Sequence, residues 1–345
     1  MAMDAEVAEV LRAAGERLRE RLLVAAVATP EGTRQSLVNE ALDDCLASLS
    51  STRIWGEDNR LPSSQLWNIA GDLLETGWLQ ARARHKPRGY AGDHELLRRI
   101  AEHELCEHPL GRCFDQYFQT QAAPQAVRNR IELAAGWIVG AVKHAPGTVS
   151  HIASVGSGPA IDVALACRSL SSEQRSRLQV TLLDVDGEAL DEAKKRISRY
   201  LADNQVSIVQ SNIFRLAERP SLGAHLQGCD VILCTGLFDY LPDATAALML
   251  GEFWHRLAPG GAAFVFNFAP HNPTRAYMEW LGNWYLIYRT AAELSLLAAA
   301  AGISTGHWKL SAEPLGIDLY IALSKAECLS EGYLAGLTGP VGYDA

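Results

Sequence analysis

Residues His151 to Asp162 read HIASVGSGPAID: an apolar, β-branched run, the turn Gly156-Ser157-Gly158-Pro159, then a helix-compatible segment. A strand that feeds a glycine turn into a helix leads into a nucleotide-type pocket in α/β folds. Gly156 and Gly158 carry no Cβ, so the turn can be tight and a ligand can approach the backbone. The helix N-terminus offers N–H groups to an anionic part of that ligand. Asp184 closes the next apolar run, where a carboxylate can accept hydrogen bonds from ribose hydroxyls.

Two further stretches carry chemistry. The loop His85-Lys86-Pro87-Arg88-Gly89-Tyr90-Ala91-Gly92-Asp93 holds three cationic-capable groups, a tyrosine and an aspartate between two helices. Tyr90 and Asp93 are its catalytic candidates and Arg88 its substrate-binding one; the plainer reading is a polar turn with Asp93 capping a helix from His94. Farther on, Asn267-Phe268-Ala269-Pro270-His271-Asn272-Pro273 precedes an aromatic helix with Arg275 near its start. Tyr277, Trp280, Leu281, Trp284, Tyr285 and Tyr288 share one face of it. That stripe either walls an acceptor pocket or forms the core seam with the N-terminal half, and both hold if the pocket lies in the seam.

The elements that must position these residues fall into two patterns. Residues 1–145 read as helices, with Leu11, Leu18, Leu22 and Leu23, then Leu42, Leu46 and Leu49, then Trp67, Leu73, Leu74 and Trp78 near helical spacing. Pro146-Gly147 stops the last of them. Residues 146–325 alternate strands and helices, with strands expected at 148–155, 178–184, 206–210, 229–235, 262–268, 303–312 and 318–324. Such alternation predicts a Rossmann-like, mostly parallel seven-stranded sheet covered on both faces. Only Glu313-Pro314-Leu315-Gly316 links the last two strands, so that pair is antiparallel. Residues 326–345 form a Gly-rich tail.

Composition narrows the function classes. A net charge of −9 over 345 residues argues against nucleic acid as main partner. No uncharged apolar run approaches the roughly 20 residues that span a bilayer. The seven scattered cysteines form no CxxC pair and suit reduced thiols in a cytoplasm. In His103-Glu104-Leu105-Cys106-Glu107-His108 the histidines are spaced to point to different sides of a helix, so no metal is expected. The N-terminal amphipathic helix (1–23) mixes charges as a packed helix does, and the protein is expected to be a monomer or homodimer.

Two nucleotide readings compete, a dinucleotide dehydrogenase and an S-adenosyl-L-methionine (SAM) methyltransferase. Ile161 stands where the third glycine of GxGxxG would let helix and strand pack over a pyrophosphate, which opposes the first. With VGSGPA, LLDVD, QSNIF, CDVILCTGLFDYLPD and LAPGG in that order, residues 148–325 resemble a class I SAM-dependent methyltransferase. Ser154 and Ala160 depart from its commonest glycine-turn pattern. KPRGYAGD, NPTRAYMEW and WYLIYRT further resemble bacterial methyltransferases that form 3-hydroxy fatty-acid methyl esters. The resemblance implies that Gly156, Ser157 and Gly158 run under the methionine part of SAM and that Asp184 holds the ribose. It also implies that Asn212 and Ile213 meet the adenine, and that Thr235, Gly236 and Leu237 line the pocket floor. SAM would then sit in the carboxyl-end crevice of the sheet, with the helical region as cover.

Methyl transfer from a sulfonium is an in-line displacement, which asks for alignment and exclusion of water. A carboxylate acceptor needs no base, only orienting groups such as Lys86, Arg88, Arg275 or Arg289. An amine, guanidine or phenol calls for a base, for which Asp93, Asp239, Glu279, His85 and His271 are candidates. The leading expectation is carboxylate O-methylation of a small molecule, with N-methylation second and a non-catalytic SAM sensor as the alternative of another class. Glu279 lies off the aromatic face, so it reads either as a solvated carboxylate or as a catalytic base.

Overall fold

The computed structural model describes residues 5–144, 148–213 and 220–325. Phe214 of QSNIF, the Pro146-Gly147 stop and the 326–345 tail lie outside them. The chain divides into two compact units, Met1–Gln125 with Asn272–Leu286, and Ala126–His271 with Ile287–Ala345.

The helical unit contains α1 (Ala5–Val27), α2 (Glu31–Ser51), α3 (Arg60–Leu74), α4 (Trp78–His85), α5 (His94–Ala101), α6 (Pro109–Gln119) and the first turn of α7 (Ala122–His144). Leu11, Leu18 and Leu22 of α1 and Leu42, Leu46 and Leu49 of α2 lie in the core, whereas Leu23, one residue off that face, is exposed. The 272–286 segment joins this unit because its polar groups are satisfied there. Thr274 Oγ1 accepts the Ala123 N–H at 2.9 Å, Ser63 Oγ donates to the Trp280 carbonyl at 2.8 Å, and Tyr277 Oη donates to Gln80 Oε1 at 2.5 Å. The expected long aromatic helix is instead one π-helical turn, Tyr277–Leu281. Asn283, at φ +47°, ends it, and residues 283–290 run without helix. The i, i+7 face therefore does not continue to Tyr288.

The sheet unit follows the alternation. Its strands are β1 (Ser150–Val155), β2 (Leu178–Asp184), β3 (Val206–Gln210), β4 (Cys229–Cys234), β5 (Leu257–Phe268), β6 (Trp308–Ala312) and β7 (Asp318–Ser324). They lie in the order β3-β2-β1-β4-β5-β7-β6. β1 to β5 are mutually parallel, and β7 is antiparallel to both β5 and β6. Between the strands run α8 (Ile161–Ser169), α9 (Ser172–Ser176), α10 (Gly187–Ile197), α11 (Pro220–Ala224), α12 (Asp243–Arg256) and α13 (Ala291–Ala300).

Strand residues alternate between two cores, as a sheet covered on both faces requires. Ile152, Val180, Val231 and Phe264 pack with α7, α8 and α10. Ala153, Ile232 and Val265 pack with α12 and α13. Trp137 of α7 stacks on Phe264 with ring centres 3.7 Å apart. That burial explains why all of α7 beyond its first turn belongs to the sheet unit, although helical periodicity alone groups it with the helices before it.

Candidate active site

The parallel strands end on one edge of the sheet, and the residues just past those ends make up the site. After β1, Gly156 (φ +64°) and Gly158 (φ +49°) both take the left-handed backbone that favours glycine. A Cβ at Gly158 would meet nothing within 4 Å, and at Gly156 only Leu237 Cβ at 3.8 Å, so the turn faces open space. Ala160 is also left-handed, at φ +50°, so the place where a third glycine is common keeps a glycine-like backbone.

The N–H groups of this turn are spent internally. Gly156 and Ser157 donate to the Leu183 carbonyl at 2.8 and 3.2 Å, and Gly158 donates to Asp184 Oδ2 at 2.8 Å. Anion capture by these three N–H groups is therefore not what the turn offers. What it offers is space and the Ser157 hydroxyl, which is buried without a hydrogen-bond partner.

Asp184, the last residue of β2, also accepts the Asp186 N–H at 3.0 Å through its other oxygen. Two acceptor sites are thus used, and a carboxylate has about four. Burial raises the Asp184 pKa above its ordinary value, and the Asp186 and Gly158 N–H groups oppose that rise. Past β3, Asn212 is exposed and Ile213 buried; past β4, Thr235 and Gly236 are half-buried.

A charged network lies at the same edge. Arg130 of α7 pairs through Nη1 with Asp318 Oδ2 at 3.0 Å. Asp318 opens β7 opposite Phe268, the last residue of β5. Its second oxygen is buried without a partner. A Cβ at Gly236 would come within 3.2 Å of Arg130 Nη2. Asp239 accepts the Phe268 N–H at 2.8 Å and the Asn267 amide at 3.2 Å. Burial pushes Asp239 up to about 6, with Arg130 and Arg289 opposing, and raises Asp318 as well. Asp162, in the first turn of α8, is also pushed up to about 6 by burial. Arg289 is fixed by the Phe238 carbonyl, Asn267 Oδ1 and Asp243, so its donors hold the fold rather than a substrate. His271 is exposed, its ring 3.0 Å from the Gly316 carbonyl.

The remaining candidates belong to the helical unit, and each is engaged within it. Asp93 is 1 % exposed, caps α5 by accepting the Leu96 N–H at 3.0 Å, and pairs with Arg82 Nε at 2.8 Å. The cap reading is thus realised, with an ion pair added. Arg88 and Tyr90 are half-buried on the loop before it. Glu279 is fully buried rather than solvated: it accepts Arg275 Nε at 2.7 Å and the Gly56 N–H at 2.7 Å. The signal that rules out the solvated reading is a partner far away in sequence. Tyr277 stacks on Phe118 and Tyr117, and Trp280 and Trp284 are buried, so these three pack in the core of this unit, while Tyr285 is half-buried.

Residues 148–263 match the family model described as a methyltransferase domain. The sheet unit carries a methyltransferase domain. Its chemistry is SAM-dependent methyl transfer, with SAM as cofactor. No curated protein matches the chain significantly. Among solved structures, a Bordetella parapertussis protein described as a possible exported protein is 19% identical, with a TM-score of 0.54, over 94% of this chain and all (100%) of that one. That likeness extends the shared fold over nearly the whole chain. The CurJ carbon methyltransferase is 12% identical over 92% of each chain, with a TM-score of 0.49. Magnesium protoporphyrin IX methyltransferase from Synechocystis PCC 6803, with bound SAM, is 12% identical over 59% of this chain and 83% of that one, with a TM-score of 0.40.

The methyltransferase domain's own residues fit the donor. The turn leaves the space that a side chain would fill, the buried Ser157 hydroxyl lacks a partner, and Asp184 keeps acceptor capacity for ribose hydroxyls. When bound, SAM supplies a sulfonium-activated methyl group. Arg130, Asn267 and Asp318 were not among the candidates read from the sequence. Arg130 sits amid an ordinary helical pattern, whereas a lone aspartate opening the apolar run DLYIALS was an available signal.

Among the described residues no helix is long and apolar enough to cross a membrane.

Proposed function

We propose that the protein moves the methyl group of SAM to a carboxylate oxygen of a small molecule, as in the formation of hydroxy fatty-acid methyl esters. In this reading Gly156, Ser157, Gly158 and Asp184, with Asn212, Ile213, Thr235 and Gly236, hold the donor. The observation that carries the choice of acceptor is that the acidic candidates for a base are already committed. Asp93 is held by Arg82, Glu279 by Arg275, and Asp239 by two N–H donors. An acceptor already ionised at neutral pH needs none of them as a base. The six free cysteines among the described residues are buried or half-buried and suit a reducing compartment.

The test is turnover with SAM and two acceptor panels, 3-hydroxy carboxylic acids and primary amines, followed by mass spectrometry. A product that loses its methyl group in mild base is an ester and supports the reading. A base-stable methylated amine replaces it with N-methylation. Donor binding with no conversion of SAM across both panels would leave a sensor.

A further inference from the structure

Three cations of the helical unit gather about one tyrosine ring. The Arg60 guanidinium stands 4.7 Å, and the Lys86 ammonium 5.9 Å, from the centre of the Tyr285 ring. Arg84 lies 4.4 Å over Trp67 and donates to the Ser63 hydroxyl at 2.9 Å and the Ser63 carbonyl at 3.3 Å. The Tyr285 hydroxyl donates to Asn59 Oδ1 at 3.1 Å.

The charge around this ring does not balance. Arg60 has its carboxylate in Glu57, whereas Arg84 and Lys86 have no ion pair among the described residues. The acids nearby are taken: Glu75 faces His85, Glu279 faces Arg275, and Glu57 is shared with Arg60. Burial lowers both cations, Arg84 to about 10, and repulsion from Arg60 and Arg84 lowers Lys86 further. Holding two half-buried cations without counter-charge costs free energy. Lys86 also sits in the left-handed region, at φ +49°, where a β-carbon is strained.

We propose that Arg84 and Lys86, with Arg60, form an oxyanion-binding site on the helical unit that takes a carboxylate or phosphate group. A guanidinium with unused N–H groups beside an ammonium with three donors matches the acceptor-only surface of such an anion. Trp67 and Tyr285 supply flat apolar walls for whatever carries it. The site goes beyond the methyl-transfer reading: an acidic acceptor is one source of the oxyanion and free phosphate is another.

The test is calorimetric titration of the full chain without SAM, using sodium octanoate and sodium phosphate as probes at constant ionic strength. Wild type is compared with Lys86→Met and Arg84→Gln. Wild type should bind at least one probe saturably, and Lys86→Met should bind it at least about tenfold more weakly. Removing an unpaired cation should leave the probe-free Tm of Lys86→Met no lower than that of wild type. Octanoate binding alone points to an acid group on a larger molecule, phosphate binding alone to inorganic phosphate, and either supports the site. No saturable binding of either probe, or equal affinity in wild type and Lys86→Met, overturns it. Because SAM is absent, failure here is distinct from failure of methyl transfer.

Discussion

The Asp184 carboxylate accepts the Gly158 N–H at 2.8 Å, so one acid at the end of β2 holds the glycine turn that follows β1. Its other oxygen accepts the Asp186 N–H at 3.0 Å and fixes the start of its own loop. Asp184 therefore shapes the glycine turn whatever it binds, and burial that raises its pKa is the cost of placing it there.

Asp184→Ala should weaken binding of S-adenosylhomocysteine by at least about 100-fold, roughly 2.7 kcal/mol. It should also lower stability, because a hydrogen bond to a charged group contributes about 1.5–3 kcal/mol. Calorimetry with S-adenosylhomocysteine and, separately, NAD checks the first claim. Unchanged affinity for S-adenosylhomocysteine, or tight NAD binding, would remove the donor assignment.

Arg130 is the buried cation facing Asp318 and Asp239. Removing one partner of a buried pair typically costs about 3–5 kcal/mol, because an uncompensated charge stays behind. Arg130→Met should lower the unfolding free energy measured in urea by that amount, and Asp318→Asn added to it should recover part of the loss. Simple addition of the two single effects would show that the pair is not coupled.

The glycine turn and Asp184 were legible because they lie where a strand pattern stops, and the ends of such patterns mark the sheet's carboxyl edge by themselves. The mostly parallel sheet and its antiparallel closing pair followed from alternation and from one short turn at 313–316, whereas the order of the strands came from the structure. Three things were not legible. Glu279 finds its partner at Gly56, and nothing in local periodicity announces a contact that distant. The 272–286 stretch reads as one helix, yet a π turn and a left-handed Asn283 break it. Arg130 carries no signal of its own in the helical pattern, and its partner Asp318 is placed only by β5–β7 pairing.

Asp162 gives a pH signature with a definite sign. Burial raises it from the ordinary 3.8 to about 6, so the folded form keeps its proton to higher pH than the unfolded chain does. Its favourable contribution is complete below about 3.8 and is lost as pH rises through about 6. Asp239 and Asp318, raised the same way, add the same sign. Asp162→Asn removes one such group and should be more stable than wild type at pH 7–8 by about 1–3 kcal/mol, with the gap closing near pH 4. Urea midpoints of both proteins across that range decide it; a gap that widens toward acid pH would contradict the burial argument.

Asp93 and Glu279 give the sharpest separation between the two acceptor chemistries. Asn at 93 still caps a helix, so Asp93→Asn should lose only the Arg82 pair. Gln at 279 still accepts the Gly56 N–H, so Glu279→Gln should fold while the Arg275 pairing weakens. If these carboxylates hold structure and the acceptor arrives ionised, each amide variant should keep kcat for a carboxylic acid within a few-fold of wild type. A loss beyond about 100-fold at an unchanged Tm corresponds to roughly 2.7 kcal/mol withdrawn from the transition state alone. That outcome would make the carboxylate a base, and the acceptor a group that must give up a proton.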